Sequence, residues 1–159
     1  MTARYVPDHE DLAAIVRFHQ GEGRSVVFAN GCFDLVHVGH IRYLRGAKEE
    51  GDVLLVALND DASVRSYRGE DRPLQPELER VELVSALEMV DLVTLFTDPT
   101  VDRLLNLLRP DVHAKGTDYT VETVPERETV LAYGGRIAIV GDPKDHSSSA
   151  LLEAMRKSE

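Results

Sequence analysis

The segment "DVLLVAL" at residues 52–58 is apolar without interruption from Val53 to Leu58. A strand with one wet face alternates polar and apolar side chains, so a continuous run needs cover on both faces. A parallel sheet held between two layers of helices meets that need. Four further short runs share the character: "SVVFAN" (25–30), "DLVTLF" (91–96), "DVHAKG" (111–116) and "RIAIVG" (136–141). Segments with helical spacing and helix punctuation separate them. "DHEDLAAIVRFHQGEG" (8–23) opens on Asp8 as N-cap, with Asp11 at the capping-box position, and ends in glycines. "VGHIRYLRGAKEE" (38–50) stops at Gly51, and "PELERVELVSALEM" (76–89) puts Leu78, Val81, Val84 and Leu87 on one face. "TVDRLLNLL" (100–108) ends ahead of Pro110, "VPERETVLAYGG" (124–135) runs into glycines, and "SSALLEAMRK" (148–157) comes last. Residues 59–75 read as a polar loop.

This alternation predicts an α/β fold: a Rossmann-like, five-stranded parallel sheet with right-handed crossovers and helices on both faces. A length of 159 residues suits a single domain over 1–159. In such a sheet, ligands bind beyond the carboxyl ends of the strands. Three chemically unusual segments follow strands here: Asn30–His40, Lys115–Tyr119 and Asp142–Ser149. The topology brings them to one edge.

The 18 basic side chains are outnumbered by 28 acidic ones, a net charge of −10, which argues against a nucleic-acid partner. A small anion can still be met by a local cluster. Arg68 and Arg72 stand close together, Arg80 follows, and Lys115 precedes Gly116. No run is long and apolar enough for a membrane span, and the first residues lack a secretory core. With a single cysteine, a reducing cytoplasmic setting is the expectation.

The chemistry concentrates in "FANGCFDLVHVGH" (28–40), at the seam between a strand and a helix. A helix that starts near Val38 aims its N–H groups and positive dipole end at the strand terminus, where anions bind. Gly31 lets the chain turn, and Gly39 removes a side chain where a phosphate would collide. His37 and His40 share a helical face and can both donate to one polyphosphate. Asp34 organises the turn or helps to place a magnesium ion. A zinc site built from Cys32, Asp34, His37 and His40 lacks the second paired segment that such sites bring.

"GCFDLVHVGH" resembles the G-x-F-D-x-x-H-x-G-H signature of the nucleotidyltransferases related to class I aminoacyl-tRNA synthetases. The resemblance extends over about residues 24–156. "VALNDDASVRSYRGEDRPLQPELERVELVSALEMVD", "KGTDY" and "HSSSALL" are similar to stretches of the bacterial enzymes that adenylylate D-glycero-D-manno-heptose 1-phosphate. Three positions depart from the pattern, among them His146, to which no role is assigned. Arg68 stands where lysine is frequent, and Lys144 precedes the serines where cytidylyl-transferring relatives carry arginine.

The resemblance implies transfer of AMP from ATP to the sugar 1-phosphate, with release of pyrophosphate. It implies catalytic roles for His37, His40 and Lys115. ATP and the sugar phosphate would be bound by Asn30, Gly31, Phe33, Asp34, Gly39, Arg68, Arg72, Arg80, Gly116, Asp118, Ser148 and Ser149. No protein metal site is expected, because magnesium would be held mainly by ATP phosphates and water. A kinase on a separate chain is expected to supply the sugar phosphate, and a homodimer is expected. Two other functions compete: a cytidylyltransferase acting on glycerol 3-phosphate or a similar alcohol phosphate, and an ATP-sensing module without turnover. The absence of G-x-G-x-x-G after the first strand sets a dinucleotide-dependent oxidoreductase aside.

Overall fold

The computed structural model describes residues 3–143 and 146–158, so Lys144 lies outside the described residues. In chain order the elements are β1 (Arg4–Tyr5), α1 (His9–Gly21), β2 (Val26–Gly31), α2 (Val38–Glu49), β3 (Val53–Asn59), α3 (Asp61–Arg68) and α4 (Glu77–Ser85). They continue with β4 (Leu92–Phe96), α5 (Asp102–Leu108), β5 (Val112–Lys115), α6 (Arg127–Ala132), β6 (Arg136–Ile139) and α7 (Ser148–Lys157). The strands form one parallel sheet in the order β1-β4-β3-β2-β5-β6.

Every residue of β3 is buried, as its continuous apolar run requires. Side chains alternate across the sheet, so each strand feeds two cores. On one face Val26, Phe28, Val53 and Leu55 pack with Leu12 and Val16 of α1 and with Leu104, Leu105 and Leu108 of α5. On the other, Val27, Ala29, Leu54 and Val56 pack with Leu44 and Ala47 of α2 and with Val81 and Val84 of α4. The connections from β2 to β3 and β4 move outward on one side, whereas β5 and β6 lie on the other side of β2. The order therefore reverses at β2, and a ligand crevice belongs above its carboxyl end.

Three sequence expectations are corrected. The sheet has six strands rather than five. β1 is only two residues long and carries no apolar run. It is held through pairing with Leu92 and Val93, the Val6 N–H donating to the Val93 carbonyl, and Thr94 Oγ1 donating to the Val6 carbonyl. The loop expected over 59–75 contains α3, capped by the Asp60 carboxylate, which accepts from the Ser63 N–H at 2.8 Å. Only Ser63 and Val64 of α3 are buried, so it has no apolar stripe to reveal it. Leu78 is 63% exposed, and α4 buries Arg80 together with Val81 and Val84 instead.

Candidate active site

A cavity of about 500 Å³ opens above the carboxyl ends of β2, β5 and β6. Its wall includes Asn30, Gly31, His37, Gly39, His40, Arg68, Lys115, Gly116, Asp118, Ser148 and Ser149, so segments far apart in the chain converge as expected. A smaller recess of about 170 Å³ adjoins it and adds Phe33, Asp34 and Arg72 to the lining. Arg80 lines neither.

Local chemistry fixes the imidazole pair. His37 is the N-cap of α2, and its Nδ1 accepts from the Gly39 N–H at 3.1 Å. His40 Nδ1 accepts in turn from the His37 N–H at 3.2 Å. This is a capping box made of two histidines, where serine and glutamate are the usual partners. The rings stack with centroids 3.9 Å apart, and Phe33 packs on His40 at 5.0 Å. Because each Nδ1 accepts a backbone N–H, the proton of each neutral ring sits on Nε2. Both residues thus present N–H donors beside the helix N-terminus.

The glycines act differently from the expectation. The left-handed turn residue is Phe33 at φ 51°, not Gly31, which ends β2. A Cβ on Gly31 would stand 3.0 Å from the Phe33 ring. One on Gly39 would stand 2.8 Å from His37 Cε1, so Gly39 makes room for the imidazole as well as for any ligand.

Three charged residues need correction or narrowing. Arg80 is fully buried. Its Nη1 donates to the Cys32 and Asn59 carbonyls, its Nε to the Gln75 carbonyl, and its Nη2 to Asp61 Oδ1 at 2.8 Å. It braces the loops that wall the cavity, and phosphate contact is ruled out by burial. Asp34 is also buried, accepting from Arg72 Nε at 2.6 Å and from the Leu74 and Gln75 N–H groups. Burial pushes its carboxyl up, but these donors outweigh it and hold the group below the ordinary aspartate range. Asp34 therefore organises the turn, and its lone pairs are engaged away from any magnesium ion. Arg72 keeps a second role open. Its Nη2 is buried with no hydrogen-bond partner among the described residues, as is Asn30 Oδ1, and both residues line the recess.

The loops are tied to one another. Tyr43 Oη donates to the Ala114 carbonyl at 2.7 Å, Thr117 Oγ1 to the Asp142 carbonyl at 2.7 Å, and Arg42 pairs with Asp142 at 3.0 Å. Ser147 caps α7, and Ser148 Oγ donates to the Leu35 carbonyl at 3.1 Å, fastening that helix start to the histidine segment. Lys115 lies at the cavity wall with Nζ 4.8 Å from the Tyr119 ring centre. Sequence reasoning missed Arg42, Tyr43 and Tyr67 on the wall. Tyr43 was within reach, since it falls three residues after His40 on the same helical face. Tyr67 sits against Cys32 and Arg68 at the wall.

Among the described residues, no group of three or more His, Cys, Asp or Glu side chains is disposed to hold a metal ion. Asp118 and Asp142 are on the cavity wall, but the neighbouring donors are hydroxyls, imidazoles and cations. That donor set suits magnesium carried on phosphate oxygens and water rather than an ion caged by protein.

A cytidylyltransferase-like family profile matches residues 28–153. The bifunctional protein HldE of Geotalea uraniireducens is 47% identical over 145 residues, covering 91% of this chain and 30% of that protein. The chain thus spans about 30% of the length of the curated relatives it matches. Among solved structures, a lipopolysaccharide core biosynthesis protein from Thermoplasma volcanium GSS1 is 29% identical with a TM-score of 0.65, covering 77% of this chain and all of that one. A pantoate-beta-alanine ligase from Francisella tularensis superposes with a TM-score of 0.68 at 16% identity, covering 92% of this chain and 69% of its own, a likeness of fold alone.

Proposed function

The chain belongs to the cytidylyltransferase-like family, and we propose that it transfers AMP from ATP to a sugar 1-phosphate, D-glycero-D-manno-heptose 1-phosphate, giving an ADP-activated heptose. The observation that carries this reading is the histidine pair, both rings backbone-anchored through Nδ1 at a helix N-terminus on the cavity wall. An oxygen of the acceptor phosphate attacks the α-phosphorus, the bond to the bridging oxygen of the β-phosphate breaks, and pyrophosphate leaves. The acceptor is largely a dianion at neutral pH, because a phosphate monoester loses its second proton near pH ~6. No strong base is needed. The site must instead hold two repelling anions in line and stabilise charge in the transition state.

In this reading His37 and His40 donate from Nε2 to oxygens of the α-phosphate and the departing group. Lys115 neutralises charge on the phosphates. Ser148 and Ser149 bind the β- and γ-phosphates with hydroxyl and N–H groups at the start of α7. Gly31, Phe33, Gly39 and Gly116 let the nucleotide lie close to the backbone. The acceptor phosphate is assigned to the recess, whose lining includes Arg68, Arg72 and Asn30. Magnesium, when bound on the triphosphate, adds charge neutralisation there.

The acceptor requires a kinase that phosphorylates the sugar at its anomeric oxygen. No helix among the described residues is long and apolar enough to cross a membrane. With ATP as donor, a cytoplasmic setting fits. Leu78 and Leu83 on α4 and Leu131 on α6 remain exposed, offering apolar surface for a homodimer that sedimentation would detect. Pyrophosphate release measured with ATP and CTP across a panel of sugar and alcohol phosphates tests the substrate assignment. A preference for ATP with the heptose phosphate is expected. A preference for CTP with glycerol 3-phosphate would overturn it.

A further inference from the structure

Behind Lys115 lies a buried acid that the mechanism above does not use. Glu126, at the N-cap of α6, is 7% exposed, yet its side chain makes no capping bond to the helix. Its Oε2 stands instead 3.8 Å from Lys115 Nζ and 3.4 Å from His113 Nε2. His113 is fully buried on β5 against the Phe28 ring, and its Nδ1 has no hydrogen-bond partner among the described residues. Glutamate is not among the usual N-cap residues, and the Glu126 carboxylate makes no bond back to α6. Here it faces the sheet, and a buried carboxylate without a cation partner is costly.

We propose that Glu126 is the positioning residue for Lys115. Its carboxylate, steadied from behind by His113, holds the Lys115 ammonium at the cavity wall between Glu126 and the Tyr119 ring. This rests on the reading of Lys115 as a phosphate-binding cation. Glu126 touches no substrate; it acts through the lysine.

Among the described residues, several titratable groups contact Lys115 or share its cavity wall. Glu126 comes from α6, His113 from the same strand, Tyr119 and Asp118 from the following loop, Tyr43 from α2, and Asp142 from the segment after β6. Asp142 is paired with Arg42, and Tyr43 donates to a backbone carbonyl. Burial lowers the Lys115 amine from its ordinary range and Glu126 opposes that fall. Removing the carboxylate leaves desolvation unopposed, so the amine loses its proton at lower pH.

The test is Glu126→Gln, which keeps the shape and removes the charge, beside Glu126→Asp, which keeps the charge. The chain has four lysines, at 48, 115, 144 and 157, so 13C-labelled lysine gives resolvable side-chain signals, with Lys115 assigned through Lys115→Arg. The Lys115 titration midpoint is expected at lower pH in Glu126→Gln, and closer to the unsubstituted protein in Glu126→Asp. In parallel, the alkaline limb of kcat/KM moves the same way, with activity falling about tenfold per pH unit beyond it. An unmoved midpoint in folded Glu126→Gln overturns the proposal, whatever the activity does. A moved midpoint with an unmoved alkaline limb keeps the pairing but overturns the positioning role. If no phosphate acceptor gives turnover, the functional reading fails by itself while the titration still decides the pairing.

Discussion

Replacing Arg80 by alanine should destabilise the fold before it touches catalysis. The guanidinium is fully buried and makes four hydrogen bonds of 2.7–3.0 Å, to the carbonyls of Cys32, Asn59 and Gln75 and to the Asp61 carboxylate. Truncation strands those acceptors and leaves a void. A single unsatisfied buried group costs about 1–3 kcal/mol, and breaking a buried ion pair costs about 3–5 kcal/mol. Asp61 is partly exposed and water can reach it, so the sum does not build to its upper limit. About 3–5 kcal/mol is the expected loss, a large share of an ordinary domain's stability of roughly 5–15 kcal/mol. For a chain of this size that lowers Tm by about 10 °C. Urea unfolding followed by circular dichroism measures the loss, with KM for ATP measured well below the new midpoint. If Arg80→Ala unfolds at the same urea concentration and instead raises KM for ATP tenfold or more, then Arg80 binds phosphate and the bracing account is wrong.

Three further outcomes follow from the same geometry. His40→Ala should reduce pyrophosphate release by about 10²-fold or more while ATP binding by calorimetry persists, since the ring acts on charge developing in the transition state; a much smaller loss would favour a nucleotide-sensing role. Gly39→Ala puts a methyl group 2.8 Å from the His37 ring, so kcat should fall about 10–100-fold through displacement of the imidazole, with Tm nearly unchanged. Asp34→Asn should narrow the acid dependence of stability. The folded carboxyl lies below its unfolded value, so its contribution is full above the ordinary aspartate range and is lost as pH falls through the folded value. The gap in urea midpoint between the two proteins should be widest near neutral pH and close on acidification, and a gap independent of pH would refute the assignment.

What the sequence could reveal depended on the range of each interaction. Apolar runs are local, so β2 to β6 and the helices between them, α3 excepted, were readable, as was the convergence of the segments after β2, β5 and β6. β1 was not, because two residues paired to β4 carry no pattern of their own. α3 hid for the opposite reason: its stability comes from an Asp60 cap and from only two buried side chains, so its surface reads as loop. Charges misled most. Arg80 looks like a phosphate ligand from its neighbours in sequence, but its partners lie up to 48 residues away, at Cys32. Asp34 likewise meets Arg72, Leu74 and Gln75 only after folding. The imidazole pair was legible because both the capping bonds and the stack span just three residues. The family resemblance read from "GCFDLVHVGH" is borne out by the match over residues 28–153.

The central claim is that the triphosphate lies over the start of α2, within reach of both imidazoles. A crystal structure with a non-hydrolysable ATP analogue measures it directly. The account predicts α- and β-phosphate oxygens within hydrogen-bond distance of His37 and His40 Nε2, with the γ-phosphate at the start of α7. An analogue seated elsewhere, with both imidazoles making no phosphate contact, would contradict it.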